Sequence, residues 1–293
     1  MNWLITKETA GKEIKAFLKH EGRFSKRLII KAKSAGGKIL VNKEKKTVRY
    51  ILQENDILEV ILPPEKPAAR MKAENIPLDI VYEDTHFLVV NKPAGIATIP
   101  SRHHPSGTIA NGLLYYYKTN DIKATVHVVT RLDKDTSGLM LIAKSQHCHS
   151  LLSLAQREYA IERTYQAIVY GKLKDYTGTI NQPIGRQPDS IIKRQVREDG
   201  QEAITHFTVL ERTNNKSKVN IKLETGRTHQ IRVHFATMGH PLVGDDLYDG
   251  KHTGMNRQAL HCSCIAFHHP YSGEKVQFKA SIPLDMKVLM TEH

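Results

Sequence analysis

A charged, proline-rich stretch divides the chain unequally and limits the folds open to it. Its residues show neither helical nor strand periodicity, and its prolines are Pro63, Pro64, Pro67 and Pro77. Proline fixes its own backbone angle and lacks a hydrogen-bond donor, so such a stretch is typical of a linker. The sequence therefore predicts a small module over residues 1–65, a linker over 66–77 and a larger domain over 78–293.

The small module carries most of the positive charge. The formal net charge of the chain is +13, and residues 1–70 hold 16 Lys and Arg against 8 Asp and Glu. Clustered cations favour a polyanionic partner, because binding such a partner releases condensed counterions. Charge alone does not distinguish a basic surface that is merely solvated from one that binds nucleic acid.

The pattern of apolar residues in the module predicts two helices beside a small sheet. One helical face is apolar and consists of Ile14, Phe17 and Leu18. Ser25 is placed to cap a second, basic helix over 26–33. Strands are predicted over 38–42, 47–50 and 57–62. This pattern resembles the alpha-L RNA-binding module, shared with a small-subunit ribosomal protein, and the resemblance implies that the module binds RNA.

The lack of a recognisable targeting signal and the number of cysteines favour the cytoplasm. No stretch approaches the roughly 18 apolar residues of a membrane span, and the first residues lack the order of a signal peptide. The three cysteines are Cys148, Cys262 and Cys264, an odd number for a disulfide framework. We therefore expect a cytoplasmic protein with free thiols and no membrane contact.

Beyond the linker, the sequence predicts a sheet that carries one polar loop. Strands are predicted over 78–82, 87–90, 139–142 and 163–171 and in a run ending at Gly226. A helix near Thr228 has an apolar stripe of Ile231, His234, Phe235 and Met238. The polar loop contains Arg131, Asp133, Asp135, Thr136 and Ser137. Loops between rigid strands present reactive side chains, although these residue types are also ordinary turn formers.

Three segments, in one order, carry a resemblance to the RluA/RluD-type (ribosomal large subunit) pseudouridine synthases over about residues 78–288. Arg131-Leu132-Asp133 followed by Thr136-Ser137-Gly138-Leu139 is similar to the family signature H-R-L-D-x-x-T-S-G-L. Thr130 stands where the family usually has His. The other two segments are 163–171 and 223–235.

The resemblance implies the roles of six residues. The implied catalytic residues are Asp133, Tyr165 and Arg232. The implied substrate-binding residues are Arg131, Arg227 and His229. In such enzymes the residue that matches Tyr165 lies against the target base, and the residue that matches Arg131 enters the position that the flipped base leaves. Arg232 would pair with Asp133, and a guanidinium can bind a carboxylate in a bidentate fork.

The resemblance also implies the fold and the partners. The expected domain is α+β, with a mixed, largely antiparallel sheet and an active-site cleft, preceded by the small basic α/β RNA-binding module. The reaction isomerises uridine, so no cofactor and no metal are expected. The expected partner is RNA, with ribosomal RNA favoured over transfer RNA, and nothing in the chain demands more than a monomer.

Two other functions fit parts of the sequence. A phosphatase of the haloacid dehalogenase type would use Asp133-Lys134-Asp135, with a metal bound at Gly244-Asp245-Asp246 and Asp249. Arg131-Leu132 interrupts the apolar strand expected before that nucleophile, and the doubly wound alternation is missing. A non-catalytic ribosome-assembly factor with the same fold is the other alternative.

A metal site is also conceivable around residue 261. The candidate ligands lie in His261-Cys262-Ser263-Cys264 and His268-His269. Their spacing matches no standard set of zinc ligands, whereas the run 260–267 has the composition of a strand. We therefore predict strand residues here.

Overall fold

The computed structural model describes residues 1–34, 36–65, 71–101, 104–250 and 254–291. Pro67 and the rest of the predicted linker up to residue 70 lie outside the described residues. The elements of the first 65 residues are β1 (Asn2–Leu4), α1 (Ile14–His20), α2 (Lys26–Lys33), β2 (Lys38–Val41), β3 (Glu44–Lys45) and β4 (Ile57–Ile61). Their sheet has the strand order β1-β4-β2-β3.

Both predicted helices of the module are confirmed. Helix α1 buries the three predicted apolar residues. Helix α2 begins after Ser25, whose Oγ accepts a hydrogen bond from the backbone N–H of Leu28 at 3.2 Å. These helices and the sheet enclose a hydrophobic core of their own, which includes Phe17 and Leu58.

The prediction of a strand over 47–50 is wrong. The backbone carbonyls of Val48 and Tyr50 accept hydrogen bonds from Lys15 and Ile14 in the first turn of α1. The first N–H groups of a helix have no partner within the helix, so this segment satisfies them instead of a neighbouring strand.

The larger part of the chain alternates strands with four helices in the described ranges. Its first elements are β5 (Ile80–Glu83), β6 (Phe87–Lys92), α3 (Ile109–Thr119), β7 (His127–Val128), β8 (Ser137–Ala143), α4 (Gln146–Arg157) and β9 (Glu162–Tyr170). They are followed by β10 (Thr177–Asn181), β11 (Ile184–Arg186), β12 (Arg194–Val196), β13 (Ile204–Arg212), β14 (Lys216–Leu223), α5 (Gln230–Thr237), β15 (Leu260–His268), β16 (Lys275–Lys279) and α6 (Leu284–Val288).

One large sheet organises this part of the chain. Its strand order is β10-β13-β14-β9-β15-β8-β6-β5, and β16 and β7 pair with β15 and β8. The pairs are antiparallel, except that β15 runs parallel to β8. The α+β prediction with a mixed, largely antiparallel sheet is confirmed, as are the β5–β6 hairpin and the strand at 260–267.

The parallel pair requires a glycine at its centre. Gly138 has a φ of +113°, and a Cβ atom there would lie 2.3 Å from the backbone oxygen of Cys262. Only glycine tolerates both the backbone angle and the close approach. The Thr-Ser-Gly of the polar loop is therefore fixed by the strand that follows it.

The module contacts the larger domain through α4. His147 is 3% exposed, and its Nε2 lies 2.9 Å from the backbone oxygen of Gly22. Its Nδ1 lies 2.8 Å from the hydroxyl of Tyr271. The ring also packs on Phe24, and Lys31 of α2 donates to Gln146 at 2.6 Å. A neutral His147 satisfies both contacts, because Nε2–H donates to the carbonyl and Nδ1 accepts from the hydroxyl.

This contact predicts acid sensitivity. Burial lowers the pKa of His147 below its usual value, so unfolding adds a proton. The contribution of His147 to the free energy of unfolding is fully present above about pH 6.5, the ordinary pKa of histidine. It falls as the pH drops from there towards the lowered pKa. We expect the variant His147→Gln to show a smaller loss of melting temperature between neutral and mildly acidic pH than the wild type. Parallel melting curves of the two proteins across that range would contradict the prediction.

No helix in the described ranges combines the length and the apolar character needed to cross a membrane.

Candidate active site

All six residues that the sequence predicts for the site lie around one cleft. They are Arg131, Asp133, Tyr165, Arg227, His229 and Arg232. The cleft lies between the loop that precedes β8, the face of β9 and the start of α5.

The backbone of the loop that carries Asp133 is held from several sides. The Oγ1 of Thr130, the position where the related family has His, accepts the N–H of Leu141 at 2.9 Å. The hydroxyl of Thr98 donates to the carbonyl of Leu132 at 2.7 Å. Such contacts fix Asp133 before any substrate binds, and preorganised groups lose little entropy on reaction.

Lys92 also holds this loop, a role that was not predicted from the sequence. Its side chain is fully buried at the end of β6 and donates to the carbonyls of Pro93, Ile96 and Lys134 at 2.8–2.9 Å. Burial lowers the pKa of Lys92 to about 8, although the nearby charge of Asp135 opposes the change. Lys92 thus ties the turn after β6 to the loop that carries Asp133.

Arg232 joins two carboxylates. Its Nη1 donates to Oδ2 of Asp133 at 3.0 Å, as predicted. The bidentate fork, however, is made with Asp245, where Nε and Nη2 donate at 2.7 and 2.8 Å. The expectation that the fork could bind Asp133 is therefore corrected, because Asp245 binds Nε and Nη2, two of the three guanidinium nitrogens. Asp245 is 1% exposed, whereas the Asp133 side chain is 29% exposed and open to the cleft.

The charge of Arg232 is stabilised by this arrangement. Burial lowers the pKa of Arg232, but the hydrogen bonds and charge of Asp245, together with Asp133, outweigh burial and raise the pKa above its usual value. Arg232 is therefore a fixed cation that can orient Asp133 through its hydrogen bond.

His229 faces Asp133 from the other side. It precedes α5 in a left-handed conformation, with φ +59°, and its Nε2 lies 3.7 Å from Oδ2 of Asp133. The hydroxyl of Tyr248 accepts the N–H of Arg194 and lies 2.8 Å from Nδ1 of His229. Burial lowers the pKa of His229, and a neutral ring that accepts from Tyr248 carries its proton on Nε2, towards Asp133.

Helix α5 departs from its prediction at both ends. It begins at Gln230, after His229, whereas the sequence placed the start near Thr228. Met238, predicted for the apolar stripe, caps the helix and is 40% exposed. The left-handed turn at His229 delays the start of the helix, and in doing so it directs that residue towards the cleft.

Tyr165 lies on β9 with its side chain in the cleft wall. It is 5% exposed and forms a side-chain hydrogen bond with Cys262 of β15. Burial raises the pKa of Tyr165, so the hydroxyl keeps its proton. The ring can therefore form one wall of a base-binding site.

The two remaining predicted residues differ in how firmly they are held. Arg131 is exposed at the edge of the cleft, with its side chain free to reach outward. Arg227 is partly buried, and its Nε donates to the carbonyl of Glu202 at 2.9 Å. Its backbone N–H donates to the side chain of Gln230 at 2.9 Å. Arg131 thus has the greater freedom to follow a bound ligand.

Two metal sites were considered from the sequence, one for a phosphatase and one around residue 261, and neither is formed among the described residues. No group of three His, Cys, Asp or Glu side chains there is arranged to hold a metal ion. Asp245, which a phosphatase would use for magnesium, is bound to Arg232 instead. His261 contacts the hydroxyl of Ser137 at 2.9 Å within the parallel strand pair.

The chain is similar to known proteins over most of its length. Residues 86–237 match the family model described as RNA pseudouridylate synthase. A Bacillus subtilis protein named uncharacterized RNA pseudouridine synthase YjbO is 50% identical over 266 residues, which cover 91% of this chain and 94% of that protein. The ribosomal large subunit pseudouridine synthase D of Vibrio parahaemolyticus is 38% identical, with coverage of 87% and 82%. The solved structure of human RNA pseudouridylate synthase domain containing 1 superposes with a TM-score of 0.60 at 26% identity, covering 74% of this chain and 86% of that one.

Proposed function

This chain belongs to the RNA pseudouridylate synthase family, and from that premise we propose that it isomerises specific uridines of large-subunit ribosomal RNA through Asp133. Membership makes it an enzyme, a pseudouridine synthase of the RluA/RluD type, with RNA as its substrate. The target RNA and the roles of the site residues are the proposed part.

One observation carries the assignment of the site. Asp133 points into the cleft that Tyr165 lines, and the buried cation Arg232 holds it at 3.0 Å. A carboxylate that is held in one position beside the site for the base is what the reaction needs at the sugar.

The proposed reaction breaks the bond from N1 of uracil to C1′ of ribose and forms a bond from C5 to C1′. A base within folded RNA cannot reach Asp133, so the nucleotide is flipped out at a cost of a few kcal/mol in stacking. Asp133 then acts at the sugar, either by attacking C1′ or by removing the C2′ proton. Tyr165 stacks on the flipped uracil, and the enclosed cleft keeps the detached base beside the sugar.

Ribosomal RNA is the proposed substrate for two reasons. The Vibrio relative, aligned over 87% of this chain, is named as a ribosomal large subunit enzyme. The module also presents Lys26, Arg27 and Lys33 of α2 on an exposed surface, where they can bind phosphates of a large folded RNA. We propose that residues 1–65 form this RNA-binding module and that the catalytic domain follows the linker.

The test is pseudouridine mapping of total RNA from cells that lack the gene. The gene is then returned as wild type or as Asp133→Asn. We expect sites in large-subunit ribosomal RNA to disappear, to return with the wild type and to stay absent with the variant. Sites lost from transfer RNA instead would overturn the proposed substrate. No lost site in any RNA would favour the non-catalytic assembly factor.

Arg131 has a separable role in this proposal. If its planar group stacks in the position that the flipped base leaves, Arg131→Ala should slow modification far more than it weakens RNA binding. Single-turnover rates and filter-binding affinities on one RNA check this, with Arg131→Lys as the variant that keeps the charge. Equal losses of rate and affinity would make Arg131 an ordinary phosphate contact.

A further inference from the structure

A second buried arginine lines the cleft and has no role in the mechanism described so far. Arg163 lies two residues before Tyr165 on β9, so both side chains lie on the same face of the strand, about 6.6 Å apart along it. Both line the cleft that contains Asp133. Burial raises the pKa of Tyr165, and the charge of Arg163 opposes that rise, which places the cation near the Tyr165 ring.

Arg163 is buried and has an unpaired nitrogen. It is 9% exposed, and its Nε has no hydrogen-bond partner. Among the residues that the structure describes, no carboxylate forms an ion pair with it. Arg232, 69 positions later in the chain, has two such carboxylates. Burying a cation without an anionic partner is unfavourable, so this arrangement indicates that an anion arrives with the substrate.

Gly226 leaves room for this guanidinium. A Cβ atom at Gly226 would lie 2.8 Å from Nη2 of Arg163, closer than real contacts allow. The turn between β14 and α5 therefore accommodates the arginine where it lines the cleft.

RNA can present two anions to Arg163, a backbone phosphate or a charged base, and the buried position of Arg163 favours the base. The phosphates of a flipped nucleotide stay on the backbone at the mouth of the cleft, where the exposed Arg131 lies. The base is the part that enters the cleft and lies against Tyr165. Arg163 is therefore placed for charge on the base, and uracil becomes charged only during the reaction.

We propose that Arg163 stabilises the uracil anion that forms when the bond between N1 and C1′ breaks; this inference rests on the proposed function. The electron pair of that bond leaves with N1 and is delocalised onto the carbonyl oxygens of the base. The anion forms whether Asp133 attacks C1′ or removes the C2′ proton. C5 then bonds to C1′; on the first route this breaks the bond between C1′ and Asp133, and on the second route Asp133 returns the proton to C2′. The proton on C5 is released and N1 gains a proton, which restores a neutral base. A fixed cation aimed at charge that develops in the transition state accelerates that step.

The test compares Arg163→Gln and Arg163→Lys with the wild type on an RNA that contains a mapped target uridine. We expect Arg163→Gln to lower the single-turnover rate by about 10²–10³-fold with an unchanged Kd for the RNA. Arg163→Lys should recover most of that loss, because it restores the charge. Arg212→Gln is the matched control, since this arginine lies over Tyr176 and does not line the cleft.

Three results would overturn the inference. An Arg163→Gln enzyme with the wild-type rate shows that the charge is not needed. A weaker Kd with a smaller salt dependence shows a phosphate contact instead. If Arg163→Gln does not fold, a folded Arg163→Lys that binds RNA and is inactive also counts against the inference. A wild type without synthase activity would reject the proposed function itself, which is a different outcome.

Discussion

The variant Asp133→Asn should form pseudouridine about 10⁴-fold more slowly than the wild type, or slower still, while it folds and binds RNA normally. The amide has the shape of the carboxylate but can neither attack the sugar nor take a proton. The fold should persist, because Arg232 keeps its fork to Asp245. Single-turnover assays on a mapped RNA, with binding measured in parallel, check the expectation.

Asp135→Asn is the control for this experiment. It removes the same charge two residues away, in the same loop, from a carboxylate that makes no hydrogen bond to Arg232. It should keep most of the activity. If Asp133→Asn stayed within tenfold of the wild type, the catalytic carboxylate would have to be another residue.

The variant Asp245→Asn should lose both stability and activity. Asp245 and Arg232 are both buried, and the loss of one charge from such a pair costs about 3–5 kcal/mol because the other charge loses its buried counterion. Arg232 would also lose one of the two contacts that orient it towards Asp133, because the amide nitrogen of Asn cannot accept a hydrogen bond. Urea denaturation gives the free energy of unfolding, and the single-turnover rate at low temperature gives the activity of the folded fraction.

The chain offers a matched control for burial. Arg257 forms the same kind of fork with Asp285, at 2.8 and 2.9 Å, but the Asp285 side chain is 47% exposed. Water screens such a pair, so Asp285→Asn should cost no more than about 1 kcal/mol. Equal losses in Asp245→Asn and Asp285→Asn would show that burial does not set the energy of the inner pair.

The features predicted best from the sequence are those that depend only on neighbouring residues. The cap at Ser25 and the apolar face of α1 follow from neighbouring residues, and the structure confirms both. The six site residues were found because their segments resemble one family, and they do share a cleft. Their catalytic roles stay predictions until the variants are measured.

The features that were missed depend on contacts between distant segments. Asp245 lies 13 residues after Arg232, and it was considered from the sequence only as a metal ligand of the alternative phosphatase. Lys92 was missed because its acceptors include a carbonyl 42 positions away. Arg163 looked like an ordinary strand residue, because only the assembled cleft shows that its Nε has no hydrogen-bond partner. Sequence spacing cannot show such pairings, which depend on the packed tertiary structure.

The contact at His147 fixes the spacing between α2 and the cleft, because it seats the first 65 residues against α4. If the exposed cations of α2 bind phosphates as proposed, an RNA gains from both surfaces only when a helix and a uridine in its fold are separated by that same span. On that proposal, the choice of target depends on the three-dimensional shape of the RNA more than on the bases that flank the uridine.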